Sequence, residues 1–191
     1  LGSRRPLVKK RARAVFIDSD GVLIHDENYL GSIEDLEIYK GAPRALRILR
    51  EAGLKIVIVT NQSGVARGYF TLAAVHRIHA ELKRRLAKAG AKWDAILVSP
   101  HGPDSGHPWR KPGTGMILAA KRRYGLDLKK SFMIGDKTSD VECARRAGCA
   151  SVLVLTGDGG RDKVYKVKPT TVRRDILSAA RWIAGKNSPK R

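Results

Sequence analysis

Five short runs of largely apolar, β-prone residues constrain this chain more than any other feature. They are Ala14–Ile17, Lys55–Thr60, Ala95–Val98, Ser131–Ile134 and Ser151–Leu155. Between them, apolar residues recur at helical spacing. Continuous apolar runs alternating with amphipathic helices predict strands of a mainly parallel sheet covered on both faces. The expected fold is α/β: a single-domain, Rossmann-like three-layer sandwich with a five-stranded sheet. The 191 residues, 42% of them hydrophobic, suffice for one domain with a real core. The sequence contains no internal repeat and no sign of a second domain.

The helices are legible from their faces and ends. Gly41-Ala42-Pro43 opens the first, with proline where a missing N–H costs nothing. Ala45, Leu46, Leu49 and Ala52 form its apolar face, and Gly53 suits its C-terminal cap. Thr71 is expected to cap the next helix, along which Leu72, Val75, Ile78, Leu82 and Leu86 recur. His76 and His79 on that helix read as surface or boundary histidines rather than as a metal site. Further helices are predicted over Thr114–Tyr124, Ser139–Ala147 and Val172–Ala184. Residues 19–40, with Tyr29, Leu30, Ile33, Leu36 and Ile38 scattered through them, read as a loop or small β-flap.

The formal net charge is +20. Arg4, Arg5, Lys9, Lys10, Arg11 and Arg13 crowd one end, and Lys186, Lys190 and Arg191 the other. Residues 1–13 and 186–191 are therefore expected to be basic tails around a domain at 14–185, with Leu1-Gly2-Ser3 read as a cloning scar. Even without those nine, Lys and Arg outnumber the 18 Asp and Glu. Such a surface favours anionic partners: nucleic acid, phosphorylated sugars or membrane headgroups. Solubility or adaptation of a whole proteome would give the same charge, and no nucleic-acid motif accompanies it. No apolar run approaches the roughly 18–20 residues of a membrane span, and no signal-peptide core is visible. Cys143 and Cys149 are the only cysteines, which predicts a reducing, cytoplasmic setting.

The strand ends carry the chemistry. The first stops at Asp18-Ser19-Asp20-Gly21, where glycine lets the backbone turn away. Carboxylates this close raise one pKa, and a divalent cation or a shared proton would relieve them. A plain polar turn would use the same residues. The second strand ends at Thr60-Asn61-Gln62-Ser63-Gly64, the third runs into a loop reaching Lys111, and the fourth meets Asp136 and Asp140. In a parallel sheet these groups converge on the carboxyl edge, where open α/β sheets bind ligands. Three carboxylates, a hydroxyl and an ammonium suit phosphoryl transfer. Carboxylates hold Mg²⁺, and hydroxyl, backbone N–H and ammonium groups neutralise phosphate oxygens. One aspartate can attack phosphorus while another moves the proton.

Asp18-Ser-Asp20-Gly-Val-Leu23, Thr60, Lys111 and Gly135-Asp136-Lys-Thr-Ser-Asp140, in this order, resemble the four motifs of the haloacid dehalogenase superfamily of phosphatases. The resemblance spans residues 14–184. It implies Asp18 as nucleophile, Asp20 as general acid/base, and Thr60 and Lys111 as phosphate binders. It also implies Mg²⁺ held by Asp18, Asp136 and the backbone carbonyl of Asp20, with Asp140 behind them or bound through water. Asp20 to Thr60 leaves room for a flap and one helix; Thr60 to Lys111 leaves room for one helix, one strand and one loop. Neither gap holds a cap domain, so an open site is expected, with specificity set by the flap and by loop 99–111.

A narrower resemblance rests on Thr60-Asn-Gln-Ser-Gly-Val-Ala-Arg-Gly68, Arg110-Lys-Pro112 and Gly135-Asp-Lys137. These are similar to the heptose 1,7-bisphosphate phosphatase branch, close to the histidinol-phosphatases. The branch implies a small phosphorylated metabolite, a sugar bisphosphate, with Asn61, Arg110 and Lys137 placing its phosphates. That branch usually carries a zinc loop of three cysteines and a histidine before Arg-Lys-Pro. Here Ser99–Lys111 retains His101, with His107 and Trp109 near the later cysteine positions. Structural zinc takes four N or S ligands, so zinc is not expected, and the prolines and Trp109 are expected to hold the loop. Ser19 stands where the branch commonly has arginine. The alternatives are a phosphatase for histidinol phosphate or nucleic-acid 3′-phosphate ends, and a basic nucleic-acid-binding module with the same fold. A monomer is the favoured state.

Overall fold

The computed structural model describes residues 11–25 and 32–187. Tyr29 and Leu30 of the flap, residues 1–10 of the N-terminal tail, and Lys190 and Arg191 lie outside them. The strands are β1 (Ala14–Ile17), β2 (Lys55–Asn61), β3 (Ala95–Ser99), β4 (Phe132–Gly135), β5 (Ala150–Val154) and β6 (Thr171–Arg173). All pair in parallel, in the order β3-β2-β1-β4-β5-β6. The helices are α1 (Ala42–Glu51), α2 (Ser63–Ala66), α3 (Leu72–Lys88), α4 (Gly115–Tyr124), α5 (Thr138–Ala147) and α6 (Ile176–Asn187).

Alternate strand residues serve opposite faces of the sheet. Val15, Ile17, Ile56, Ile58 and Ile134 pack against α1, α3 and α6 through Leu46, Leu49, Leu82 and Ile183. Ala14, Phe16, Val57, Val59 and Met133 pack against α4 and α5 through Met116, Ile117, Cys143 and Ala144. This two-sided burial explains why the strands read as unbroken apolar runs. The expected caps are present: Thr71 Oγ1 accepts from the Ala74 N–H at 3.1 Å, and Gly53 closes the end of α1 with positive φ and its N–H on Arg50 O at 2.9 Å; Gly125 and Gly148 likewise end α4 and α5 in the left-handed conformation.

Three expectations need correction. The sheet has a sixth strand, and the predicted last helix begins later than Val172. Thr171 and Val172 pair with Val152 and Leu153 of β5, while the side chains and N–H groups of Ser151 and Thr170 bond reciprocally at 3.0 Å. The helix starts only where Asp175 and Ser178 cap it, with the Ser178 N–H 2.8 Å from Asp175 Oδ1 and the Asp175 N–H 3.1 Å from Ser178 Oγ. His79 is buried, only 5% exposed, whereas His76 is exposed as expected. Burial, with the charge of His76 as a lesser cause, pushes the His79 pKa down to about 4.

The flap reading agrees with the residues on either side of its undescribed tip. Ile24 and Ile38 form an antiparallel bridge, and the Tyr39 N–H donates to Leu23 O at 3.0 Å. Ala12 forms a parallel bridge with Leu126, two residues before β1 begins. Among the described residues no helix is long and apolar enough to cross a membrane.

Asp94, in the turn before β3, ties the starts of β2 and β3. Its carboxylate takes Lys55 Nζ at 2.9 Å, Arg50 at 3.4 Å and the Ile56 N–H at 2.9 Å. Burial alone would raise its pKa, but the Ile56 N–H and Lys55 outweigh it and hold the carboxyl below its usual range. A depressed carboxylate pKa contributes stability above the unfolded-state value that is lost as pH falls. Asp94→Asn is expected to cost about 1–3 kcal/mol in urea unfolding at neutral pH. The difference from the parent should shrink below about pH 4, and a constant difference down to about pH 2 would remove the ion pairs from the account.

Candidate active site

The strand order places β1 between β2 and β4, and the chain leaves β1 toward one side and later returns to the other. The carboxyl end of β1 is thus a switch point, where α/β sheets open a crevice. Asp18 begins this crevice. Its N–H donates to Ile134 O of β4 at 3.0 Å, and its carboxylate accepts the Ser19 N–H at 2.8 Å. The chain then folds back tightly, with the Leu23 N–H on Ser19 O at 2.8 Å and the Gly21 N–H on Ile24 O at 2.8 Å.

Lys111 reaches the same point from the loop after β3. Its ammonium lies 2.8 Å from Asp18 Oδ2 and 2.7 Å from Asp140 Oδ1, and all three side chains are buried. Burial pushes the Lys111 pKa down, but Asp140 and Asp18 more than reverse this and hold it above the usual lysine value. Asn61 fixes the backbone there. Its Nδ2 donates to Lys111 O at 3.1 Å, and its Oδ1 accepts the Lys111 N–H at 3.0 Å.

Asp20 lies on the flap side of Asp18. Its Oδ2 accepts from Gln62 Nε2 at 2.7 Å and from the buried Thr60 hydroxyl at 3.4 Å. Gln62 Nε2 also donates to Thr60 Oγ1 at 3.1 Å. Asp18, Asp20, Thr60 and Lys111 are thus brought to one strand edge.

Asp136 directly follows β4, and Asp140 sits on the first turn of α5 with its carboxylate on the Lys137 N–H at 3.1 Å. One ligand oxygen from each of Asp18, Asp136 and Asp140 lies within 4.8 Å of the others. Asp136 Oδ1 is buried without a hydrogen-bond partner among the described residues. Burial first, then the charges of Asp18 and Asp140, raise the Asp136 carboxyl well above its usual range. Asp140 is raised too, by burial against the opposing pull of Lys111. Three carboxylates against one ammonium leave an excess of negative charge, and an oxygen-liganded divalent cation fits that donor set.

The loop after β5 closes over Asp136. The Asp158 N–H donates to Asp136 Oδ2 at 2.8 Å, the Gly160 N–H to Asp136 O at 2.7 Å, and Thr156 Oγ1 to Gly21 O at 2.6 Å. Gly21 and Gly157 both have positive φ, and a Cβ on either would stand 2.2–2.3 Å from Asp136 Oδ2. Only glycine lets the two backbones pass this carboxylate. Asp162 accepts from the Thr138 N–H at 2.9 Å and from its hydroxyl at 2.6 Å, tying the loop to α5.

A cleft of about 730 Å³ opens beside these groups, lined in part by Asn61, Arg110, Lys111, Lys137, Asp158 and Tyr165. Arg110 Nη1 donates to His101 O at 2.9 Å, and Lys137 Nζ stands 3.2 Å from Asp158 Oδ2. Sequence reasoning singled out neither Gln62 nor Asp158 and Asp162 as site residues. Gln62 lay within the polar run after β2. The run Thr156-Gly-Asp-Gly-Gly160 offered a comparable polar, glycine-rich signal beyond β5.

A family model described as haloacid dehalogenase-like hydrolase matches residues 15–84, and one described as HAD-hydrolase-like matches residues 108–179. D-glycero-D-manno-heptose-1,7-bisphosphate 7-phosphatase of Thermosynechococcus vestitus is 38% identical over 93% of this chain and 98% of its own length. The D-glycero-beta-D-manno-heptose-1,7-bisphosphate 7-phosphatase of Bordetella bronchiseptica is 40% identical over 88% of this chain and 96% of its own. The crystal structure of D,D-heptose 1,7-bisphosphate phosphatase from B. bronchiseptica with magnesium and phosphate superposes with a TM-score of 0.84 at 36% identity, covering 91% of this chain and 99% of that one. With its motifs meeting at the end of β1 and its likeness to these enzymes running through most of its length, the chain belongs to the haloacid dehalogenase-like phosphatases, among the heptose-bisphosphate phosphatases.

Proposed function

We propose that this chain is a Mg²⁺-dependent phosphatase that removes the 7-phosphate from D-glycero-D-manno-heptose 1,7-bisphosphate. The observation that carries the reading is the pairing of two differently held carboxylates, Asp18 on Lys111 and Asp20 on Gln62, with Lys111 itself lining a cationic cleft. The names of the relatives supply the sugar. The cleft also carries Arg110 and Lys137 for the second phosphate of such a substrate.

Asp18 attacks phosphorus, and the P–O bond to the sugar breaks as Asp20 gives its proton to the leaving oxygen. Water then attacks the aspartyl phosphate, Asp20 takes the water's proton, and phosphate leaves with Asp18 restored. Lys111 stays protonated and, with Thr60, offers positive charge and a donor to the phosphoryl oxygens. Gln62 orients Asp20 toward the leaving group. Asn61, through its paired bonds to the Lys111 backbone, acts by holding that ammonium in place. Asp18, Asp136 and the Asp20 backbone would hold Mg²⁺, with Asp140 beside them, and the ion would supply charge neutralisation at the phosphoryl group.

Loop 99–111 does not fit zinc. It offers the imidazoles of His101 and His107, stacked with centroids 3.5 Å apart, and no thiol. His107 Nδ1 already accepts the Trp109 N–H at 3.2 Å, and Trp109 packs on the α4 side of the core. These contacts support a loop held without metal. The unbridged thiols of Cys143 and Cys149 agree with a reducing, cytoplasmic setting. The net charge of +20 keeps nucleic-acid 3′-phosphate ends as the second reading.

Asp18→Asn is expected to lower kcat by about 10³-fold or more and to abolish trapping of a phosphorylated enzyme. Full Mg²⁺-dependent turnover in that variant would remove Asp18 as nucleophile. Gln62→Leu is expected to lower kcat about ten- to a hundredfold with little change in KM, since a hydrogen bond to a charged group contributes about 1.5–3 kcal/mol. In a phosphate-release assay, heptose 1,7-bisphosphate should exceed histidinol phosphate and 3′-phosphorylated oligonucleotides by about a hundredfold in kcat/KM, the scale that specific contacts provide. Preference for the oligonucleotide, with steep loss at high salt, would establish the second reading instead.

A further inference from the structure

The loop after β5 presents two carboxylates to the cleft, and they are spent differently. Asp162 is occupied by the N–H and hydroxyl of Thr138 and serves to anchor the loop. Asp158 has its backbone fixed on Asp136, which leaves its carboxylate 3.2 Å from Lys137 Nζ. Both partners of this ion pair face the cleft and stay in contact with solvent, with side chains 41% and 36% exposed. The other long cations of the cleft have partners of their own: Arg110 on His101 O, Lys111 on Asp18 and Asp140, and Arg146 on Glu142 at 2.7 Å.

We propose that Asp158 is a positioning residue that exchanges with the substrate's distal phosphate for Lys137, pinning that ammonium between turnovers and aiding release of a product that keeps its distal phosphate. The inference rests on the bisphosphate reading above. The chemistry is competition between two anions for one ammonium. A four-carbon stem leaves Lys137 many rotamers, and Asp158 selects those that point into the cleft. An arriving phosphate carries more charge than the carboxylate and displaces it. Hydrolysis at the far end of the sugar leaves this phosphate on the product, so unopposed binding at Lys137 would hold the product as tightly as the substrate. Asp158 returning to Lys137 opposes that. A phosphomonoester with a neutral distal group has no such exchange to make.

The test uses p-nitrophenyl phosphate as reporter, with fructose 1,6-bisphosphate and fructose 6-phosphate as competitive inhibitors. The quantity read is the ratio of the two inhibition constants within one protein, which cancels general losses of activity or of folded enzyme. Asp158→Asn should strengthen the bisphosphate relative to the monophosphate by about two- to fivefold, the range of a half-exposed ion pair. Asp158→Glu should return the ratio toward the parent's. In a Lys137→Met background, Asp158→Asn should leave the ratio unchanged. A bisphosphate that gains nothing over the monophosphate in Asp158→Asn overturns the proposal, as does the same gain persisting without Lys137. Failure of the parent to hydrolyse heptose 1,7-bisphosphate while it still turns over p-nitrophenyl phosphate would instead strike the substrate reading.

Discussion

A single buried ammonium sets the terms for the centre. Lys111 sits between Asp18 and Asp140, all three shielded from water, at a point where Asp136 adds a third carboxylate. Removing one partner from such a group leaves an uncompensated charge in a low-dielectric interior, which costs far more than a surface pair is worth. The ends of β1 and β4, the first turn of α5 and the loop before α4 must therefore meet in one arrangement. Much of the remaining architecture can be understood as what holds those four segments in register.

The sheet does this through its order. With β1 in the middle, its parallel neighbours fix the height at which Asp18 and Asp136 emerge. Phe16 pairs with Met133 and Ile17 with Ile134, so Asp18 emerges one residue beyond the last pair and Asp136 two residues beyond it. Pairing of Asn61 with Ser99 sets where the third strand releases its loop. The apolar residues on both faces make this register costly to slip, because a shift by one residue would exchange the two core faces.

Those apolar faces are also why so much was legible in the sequence. Five strands could be read from unbroken runs such as Lys55-Ile-Val-Ile-Val-Thr60, since burial on both sides leaves no alternation to confuse them. The sixth could not. Thr171-Val172-Arg173 is short, lies at the sheet edge and is half exposed, so it lacks the apolar signal, and from the sequence Val172 reads as the start of the helix that follows. The Asp175 and Ser178 pair carried the boundary in a capping code rather than in hydrophobicity. In the site, Asp18 and Asp136 are legible because each directly follows a strand, and Thr60 because it lies at a strand's carboxyl end, whereas Lys111, at the far end of the loop after β3, is legible only through its place in the set of four motifs. Gln62 and Asp158 matter through contacts across 42 and 22 positions of sequence, and such closure depends on how loops return. His79 read as a surface or boundary residue because periodicity alone cannot distinguish a buried polar position from one at the edge of the stripe.

The reciprocal amide pair between Asn61 and the Lys111 backbone joins the end of β2 to the end of the loop that follows β3. Loop 99–111 faces the cleft, where different sugars would call for different shapes. The same loop ends on the ammonium that balances Asp18. A cleft-lining surface and a charge-balancing element thus share one short stretch of chain, with Asn61 as the clamp at their junction. A loop without cysteines can accordingly still end in a fixed ammonium, because the anchor of Lys111 lies at the end of β2 and not in the loop.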